Sequence, residues 1–163
     1  FIDLYLVHWP NLRVPLSETM RAMEYLYNEG IIRYIGVSNF NVSLIDEARS
    51  YLSVTDIVVN QVKYSIMDRS IETDILPYCQ KEKIIIMAYT PLEHGRVARN
   101  KVLREIGKKY GKTACQVALN WLISKLYVVA IPKSGKRERI KENIESMGWR
   151  LDQEDIEYLD RIF

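Results

Sequence analysis

A chain of 163 residues, 48% hydrophobic and 27% charged, has the make-up of an ordinary globular protein with room for one buried core. Its formal net charge of +2 gives no reason to expect nucleic acid or a membrane surface as partner. Cys79 and Cys115 lack a framework spacing, which points to a reducing, cytoplasmic compartment, and no apolar run is long enough to cross a bilayer.

The chain opens on Phe1 and enters a strand at once; Asp3, His8 and Pro10 in its first ten residues do not suit a signal peptide. Ile2 to Val7 is a near-continuous apolar run, which predicts a strand covered on both faces and stopped at His8-Trp9-Pro10. Alternation sets Leu4, Leu6 and His8 on one face and Asp3, Tyr5 and Val7 on the other. Ser17 is the expected cap of a helix with Glu18 in its first turn, a stripe of Met23, Leu26 and Tyr27, and Gly30 as its stop. A second strand over residues 32–37 runs out in Gly36-Val37-Ser38-Asn39-Phe40, and Asn41 and Ser43 offer caps for a helix over 42–52.

Residues 57–61 form a short β-branched strand. Ile71, Ile75, Leu76 and Tyr78 mark a helix through Lys81, which Pro77 should kink or break early. Residues 84–89 make a fourth strand closed by Thr90-Pro91, and Glu93 to Arg96 read as a polar loop. Two helices follow, one over 98–110 stopped by Gly111, the next opened by a capping-box pattern at Thr113 to Gln116. Tyr127 to Ile131 is the fifth strand, ending in Pro132-Lys133-Ser134-Gly135, with helices over 137–147 and from Asp152 to Ile162 beyond it. Strand and helix alternating without a hairpin specify a parallel α/β sheet in a single domain over residues 1–163.

Parallel α/β folds bind ligands at the carboxyl ends of their strands. Those ends hold His8-Trp9, Ser38-Asn39, Gln61, Tyr89 and Lys133-Ser134: an imidazole, hydrogen-bonding groups at two places, an aromatic face and a cation. Together they suit a flat polar heteroaromatic ring joined to a phosphate. Each also has a plainer reading. Ser38 and Asn39 are common cap residues, His8 can be a hydrogen-bonded core histidine, Trp9 and Tyr89 core aromatics, and the basic run after Lys133 a solvated helix face.

Asp3-Leu4-Tyr5-Leu6-Val7-His8-Trp9-Pro10, Gly36-Val37-Ser38-Asn39-Phe40, Asn60-Gln61, Ala88-Tyr89-Thr90-Pro91-Leu92 and Ile131-Pro132-Lys133-Ser134 resemble, in this order, the motifs of the aldo-keto reductase superfamily. The resemblance implies a (β/α)8 TIM barrel, of which this chain is a partial barrel of about five parallel strands, the fourth to the eighth, in the C-terminal part of a single oxidoreductase domain. It implies an NADP(H)-dependent reduction of a small aldehyde or ketone. In that scheme His8 orients the reacting carbonyl and Trp9 lines the substrate pocket. Ser38, Asn39 and Gln61 hold the nicotinamide carboxamide, and Tyr89 stacks on its ring, with Thr90 and Leu92 also on the cofactor. Lys133, Ser134 and Arg139 take the adenosine 2′-phosphate, and Glu142 and Asn143 contact adenine.

The family's catalytic tyrosine, lysine and aspartate fall on strands outside these residues, and neither Tyr5, Tyr34 nor Tyr64 matches the vacancy. The short loop after Tyr89 is expected to give little cover over a pyrophosphate. No metal is implied by two histidines and two cysteines lying far apart. Two other functions fit parts of the pattern: a cofactor-binding subunit without turnover, and an unrelated phosphate-binding (β/α) enzyme gripping phosphate with Lys133-Ser134-Gly135. The latter leaves Ser38, Asn39 and Gln61 unemployed. A sheet of five strands also leaves open edges through which chains can self-associate.

Overall fold

Five strands, β1 (Ile2–Val7), β2 (Ile32–Ser38), β3 (Ile57–Lys63), β4 (Ile85–Tyr89) and β5 (Val128–Ala130), follow one another in the sheet in sequence order. The computed structural model describes residues 1–11 and 13–163. It packs as two compact units, residues 1–62 with 71–87 and residues 63–70 with 88–163. The expected parallel α/β architecture of about five strands is the one observed.

In the first unit, β1 runs parallel to β2 with Leu6 opposite Gly36, and β2 runs parallel to β3 with Ser38 opposite Gln61. Gly36 is dictated by that packing: a Cβ there would lie 2.3 Å from Leu6 Cδ2 and 3.1 Å from the Val59 carbonyl oxygen. Helices α1 (Leu16–Asn28), α2 (Val42–Ser50) and α3 (Ile75–Glu82) connect the strands. They bring Met20, Met23, Ile45, Ala48, Leu76 and Cys79 into a core with Ile35, Val37, Val59 and Ile86. Burying one such side chain is worth about 1.5–3 kcal/mol.

Local chemistry sets the helix ends, not always as expected. Asn41 caps α2, its Oδ1 accepting from Leu44 N at 2.9 Å. Ser17 does not cap α1: Pro15, at φ −54°, turns the chain into the helix without a side-chain cap, and Ser17 lies one residue inside. Nor does Pro77 break α3. It is the third helical residue, where an N–H has no intrahelical partner to lose, and the interruption comes earlier, after a 3₁₀ turn over Ser70–Thr73. Asp74 then caps α3 through Ile75 N at 2.6 Å. The expected cover on both faces of β1 is also missing, since Ile2 and Tyr5 are exposed. Among the described residues β1 pairs with β2 alone, so its apolar run has a neighbour on one side only.

In the second unit, Tyr89 ends β4 and β5 lies beside it, Ile131 N donating to the Ala88 carbonyl at 3.1 Å. Two 3₁₀ turns, Glu93–Gly95 and Val97–Arg99, lead into α4 (Lys101–Tyr110), α5 (Ala114–Ser124), α6 (Arg137–Ile144) and α7 (Gln153–Ile162). The capping box at Thr113 and Gln116 is present. α5 is buried along most of its length, as its nearly continuous apolar sequence requires. At its centre Trp121 packs on Tyr64 with ring centroids 5.8 Å apart and donates from Nε1 to Asp160 at 2.8 Å. Lys109 ties α4 to the start of α7, 2.6 Å from Asp152 and 3.0 Å from Asp155, and this hydrogen bond holds the Asp152 carboxyl down to about 2. No described helix is long and apolar enough to cross a membrane.

Candidate functional site

The carboxyl ends of β1, β2 and β3 are stitched together in the first unit. Ser38 is buried, and its Oγ donates to the Gln61 carbonyl at 2.8 Å; the same carbonyl accepts from Asn39 N at 2.9 Å. Asn39 adopts the left-handed conformation, φ 63°, a region that asparagine enters more readily than other side-chain-bearing residues. Its Nδ2 donates to Ser38 Oγ at 3.0 Å and to the His8 carbonyl at 3.4 Å. The Gln61 side chain reaches Met87 Sδ at 3.1 Å. His8 and Trp9 follow β1 directly and are both exposed, Trp9 to 59%, so neither is buried in a core. Four of the residues expected in a site, His8, Ser38, Asn39 and Gln61, thus belong to one hydrogen-bonded cluster.

The second unit holds a cleft of about 1010 Å³. Seven further candidates line it: Thr90 and Leu92 after β4, Lys133 and Ser134 after β5, and Arg139, Glu142 and Asn143 on α6. Tyr89 lies just before that wall, half-buried, its carbonyl accepting from Tyr64 N at 3.4 Å. Cations dominate the lining, because Arg96 and Arg99 join Lys133 and Arg139 against the single carboxylate of Glu142. That carboxylate accepts from Thr113 Oγ1 at 2.6 Å, and Gln116 Nε2 donates to the Glu142 carbonyl at 3.1 Å. The N-terminal cap of α5 therefore also fixes the face of α6 that meets the cleft. Cys115 joins the lining, its thiol pushed above the ordinary value by burial and by Glu142.

The segment after β4 is not the plain polar loop its composition suggests: it folds into 3₁₀ turns, His94, Gly95, Arg96 and Arg99 line the cleft, and Glu93 is buried. Thr90, Glu93 and His94 all have positive φ, at 53°, 48° and 51°. Such a conformation is a true outlier for β-branched Thr90, and strain of this kind persists only where surrounding contacts over-determine it. Glu93 supplies them: its carboxylate accepts from Ser65 Oγ at 2.9 Å and lies 3.5 Å from Lys63 Nζ, which in turn pairs with Asp68 at 2.9 Å. Sequence reading passes over Lys63, Ser65 and Glu93, because nothing local marks them as partners. Arg96 and Arg99 had a detectable signal, being cations just beyond a predicted strand end. Among the described residues no group of three His, Cys, Asp or Glu side chains is placed to hold a metal ion.

Parallel strands in sequence order, joined by helical crossovers, are the architecture of a (β/α)-barrel protein, with polar side chains at the carboxyl strand ends of the first unit and a basic cleft in the second. The model of the aldo/keto reductase family matches residues 1–163, and the chain belongs to that family of oxidoreductases. The glyoxal reductase of Bacillus subtilis (strain 168) is 38% identical over 162 residues, which cover 99% of this chain and 57% of that protein. Among solved structures, the thermostable aldo-keto reductase Tm1743 in complex with the inhibitor epalrestat superposes with a TM-score of 0.93 at 44% identity, covering 100% of this chain and 60% of that one. An aldo-keto reductase from Klebsiella pneumoniae in complex with NADPH gives a TM-score of 0.87 at 35% identity, over 100% and 59%. The chain thus spans little more than half the length of these relatives. Membership in this family sets aside the reading as an unrelated phosphate-binding enzyme.

Proposed function

We propose that residues 1–163 form the C-terminal, nucleotide-binding part of an NADP(H)-dependent carbonyl reductase of the cytoplasm, acting on small aldehydes or ketones. The observation that carries this reading is the cleft of about 1010 Å³ with Lys133, Ser134 and Arg139 at its wall. Its volume sits at the upper end of the range for ligand sites, and its cationic lining fits a ligand with several phosphates. Lys133 offers a point charge and Arg139 a planar fork for a 2′-phosphate, while Glu142 and Asn143 offer an acceptor and an amide for an adenine edge. Ser38, Asn39 and Gln61 orient the carboxamide, and Tyr89 covers one ring face. Thr90 and Leu92 form the cleft wall along the cofactor.

Bound NADPH supplies the hydride that reduces the carbonyl carbon. His8 donates a hydrogen bond to the carbonyl oxygen as charge develops on it, and Trp9 lines the pocket beside it. The proton that completes the alcohol comes from a tyrosine that the resemblance places outside these residues. The relationship to a glyoxal reductase makes glyoxal the first substrate to test. The nucleotide assignment is tested by titrating the full-length protein with NADPH and NADH. Lys133→Ala and Arg139→Ala should each weaken NADPH by about 10- to 100-fold, the worth of one charge-assisted hydrogen bond, with a much smaller change for NADH. Equal losses for both nucleotides, or a wild-type preference for NADH, would overturn it.

A further inference from the structure

Asn60 stands one residue before Gln61 on β3, opposite Val37 of β2, and is completely buried. Its Nδ2 donates to the Phe40 carbonyl at 2.9 Å, while its Oδ1 has no hydrogen-bond partner among the described residues. A buried amide with one end unsatisfied is costly, and an apolar side chain would be the more stable occupant of such a place. What the other end of the amide does is specific. Phe40 directly follows Asn39, the left-handed residue at φ 63°. The Gln61 carbonyl fastens the near side of the turn, taking Ser38 Oγ and Asn39 N, and the Asn60 amide fastens the far side through Phe40. Two consecutive residues of β3 thus clamp the turn before and after its strained position.

We propose that Asn60 is a positioning residue, which holds the Ser38-Asn39-Phe40 turn in its left-handed form and so presents the carboxamide-binding edge of the nucleotide site. The proposal rests on the reading of that edge given above. Asn60 contacts no ligand in this scheme; it acts through the Asn39 backbone. Its unsatisfied oxygen is the cost of placing a donor where only the Phe40 carbonyl needs one.

The test compares two probes on the full-length protein: NADP⁺, and adenosine 2′,5′-bisphosphate, which has the adenine and the 2′-phosphate but no nicotinamide. Asn60→Leu keeps the volume and removes both the donor and the unsatisfied acceptor. It should weaken NADP⁺ about tenfold, as expected for a displaced hydrogen-bonding edge, and leave the bisphosphate within about twofold. Hydrogen exchange at the Asn39 amide should become faster in the same variant. Asn60→Ala, which removes the amide without adding a polar or charged group, is held to the same outcome should the leucine variant misfold. Unchanged NADP⁺ affinity, or a parallel loss for both probes, would overturn the positioning role while leaving the nucleotide site intact. If the wild-type protein bound neither probe, the nucleotide reading itself would fail, and this inference with it.

Discussion

His8 stands exposed at the end of β1, with its backbone carbonyl tied to Asn39 at 3.4 Å. That combination leaves the imidazole available while fixing the chain that carries it. His8→Ala in the full-length protein should therefore lower kcat/KM for carbonyl reduction by about 10²- to 10³-fold, the usual loss when a donor to a developing oxyanion is removed. NADPH affinity should move by no more than about threefold, because the proposed role of the imidazole is on the substrate oxygen and not on the nucleotide. Near wild-type turnover would remove His8 from the reaction. Much of the candidate site was legible at this scale because strand ends can be predicted from periodicity, and chemistry-bearing side chains at several ends in turn are uncommon. Glu93 was not. Its burial follows from Ser65 and Lys63, far away in sequence, and a carboxylate followed by His94, Gly95 and Arg96 looks solvated until the fold supplies its partners.

The helices show the same contrast between local and distant causes. Thr113 and Gln116 form the capping box that their spacing announces, and Gly111 ends α4 at φ 62°. Gly107, inside α4, is a different case. Helix propensity alone would favour alanine there by about 1 kcal/mol. A Cβ at this position would lie 2.3 Å from the Lys112 carbonyl oxygen, which is backbone and cannot rotate away. Lys112 N in turn donates to the Gly107 carbonyl at 2.8 Å, so the two segments cannot separate without breaking that bond. Gly107→Ala should lower stability by about 1–3 kcal/mol, the range for overpacked sites, and shift the urea midpoint down without a change in slope. A gain in stability would mean that the chain around Lys112 yields freely. Ser17 and Pro77 mislead for a related reason: each residue type has two positional uses, and the observed choice depends on Pro15 and Asp74 beside them.

For the whole molecule, strand order and direction followed from the alternation of strand and helix, whereas the division into two units left no mark in composition. The boundary between Met87 and Ala88 falls inside the apolar run of β4, where no linker signal can exist. Burial is the other property that sequence could not give, because it depends on which apolar faces find cover. In the first unit β1 leaves Ile2 47% and Tyr5 44% exposed. In the second, α6 buries no residue at all, and Ile140, Ile144 and Met147 are exposed, as are Val129 and Ile131. Uncovered strand edges and contiguous apolar faces are templates for association, since each added contact removes apolar surface from water at about 25 cal/mol per Å². The 163-residue chain expressed by itself should therefore self-associate, with a sedimentation-average mass that rises with concentration above the 19.2 kDa of one chain. It should also show no NADPH-dependent reduction of glyoxal, because in the proposed scheme His8 only orients the carbonyl oxygen and the protonating tyrosine lies outside these residues. Sedimentation across a concentration series, together with a reductase assay on the same sample, measures both. A stable monomer would show that these faces are covered in solution by a rearrangement of the chain, and turnover by that monomer would place the proton donor within these residues.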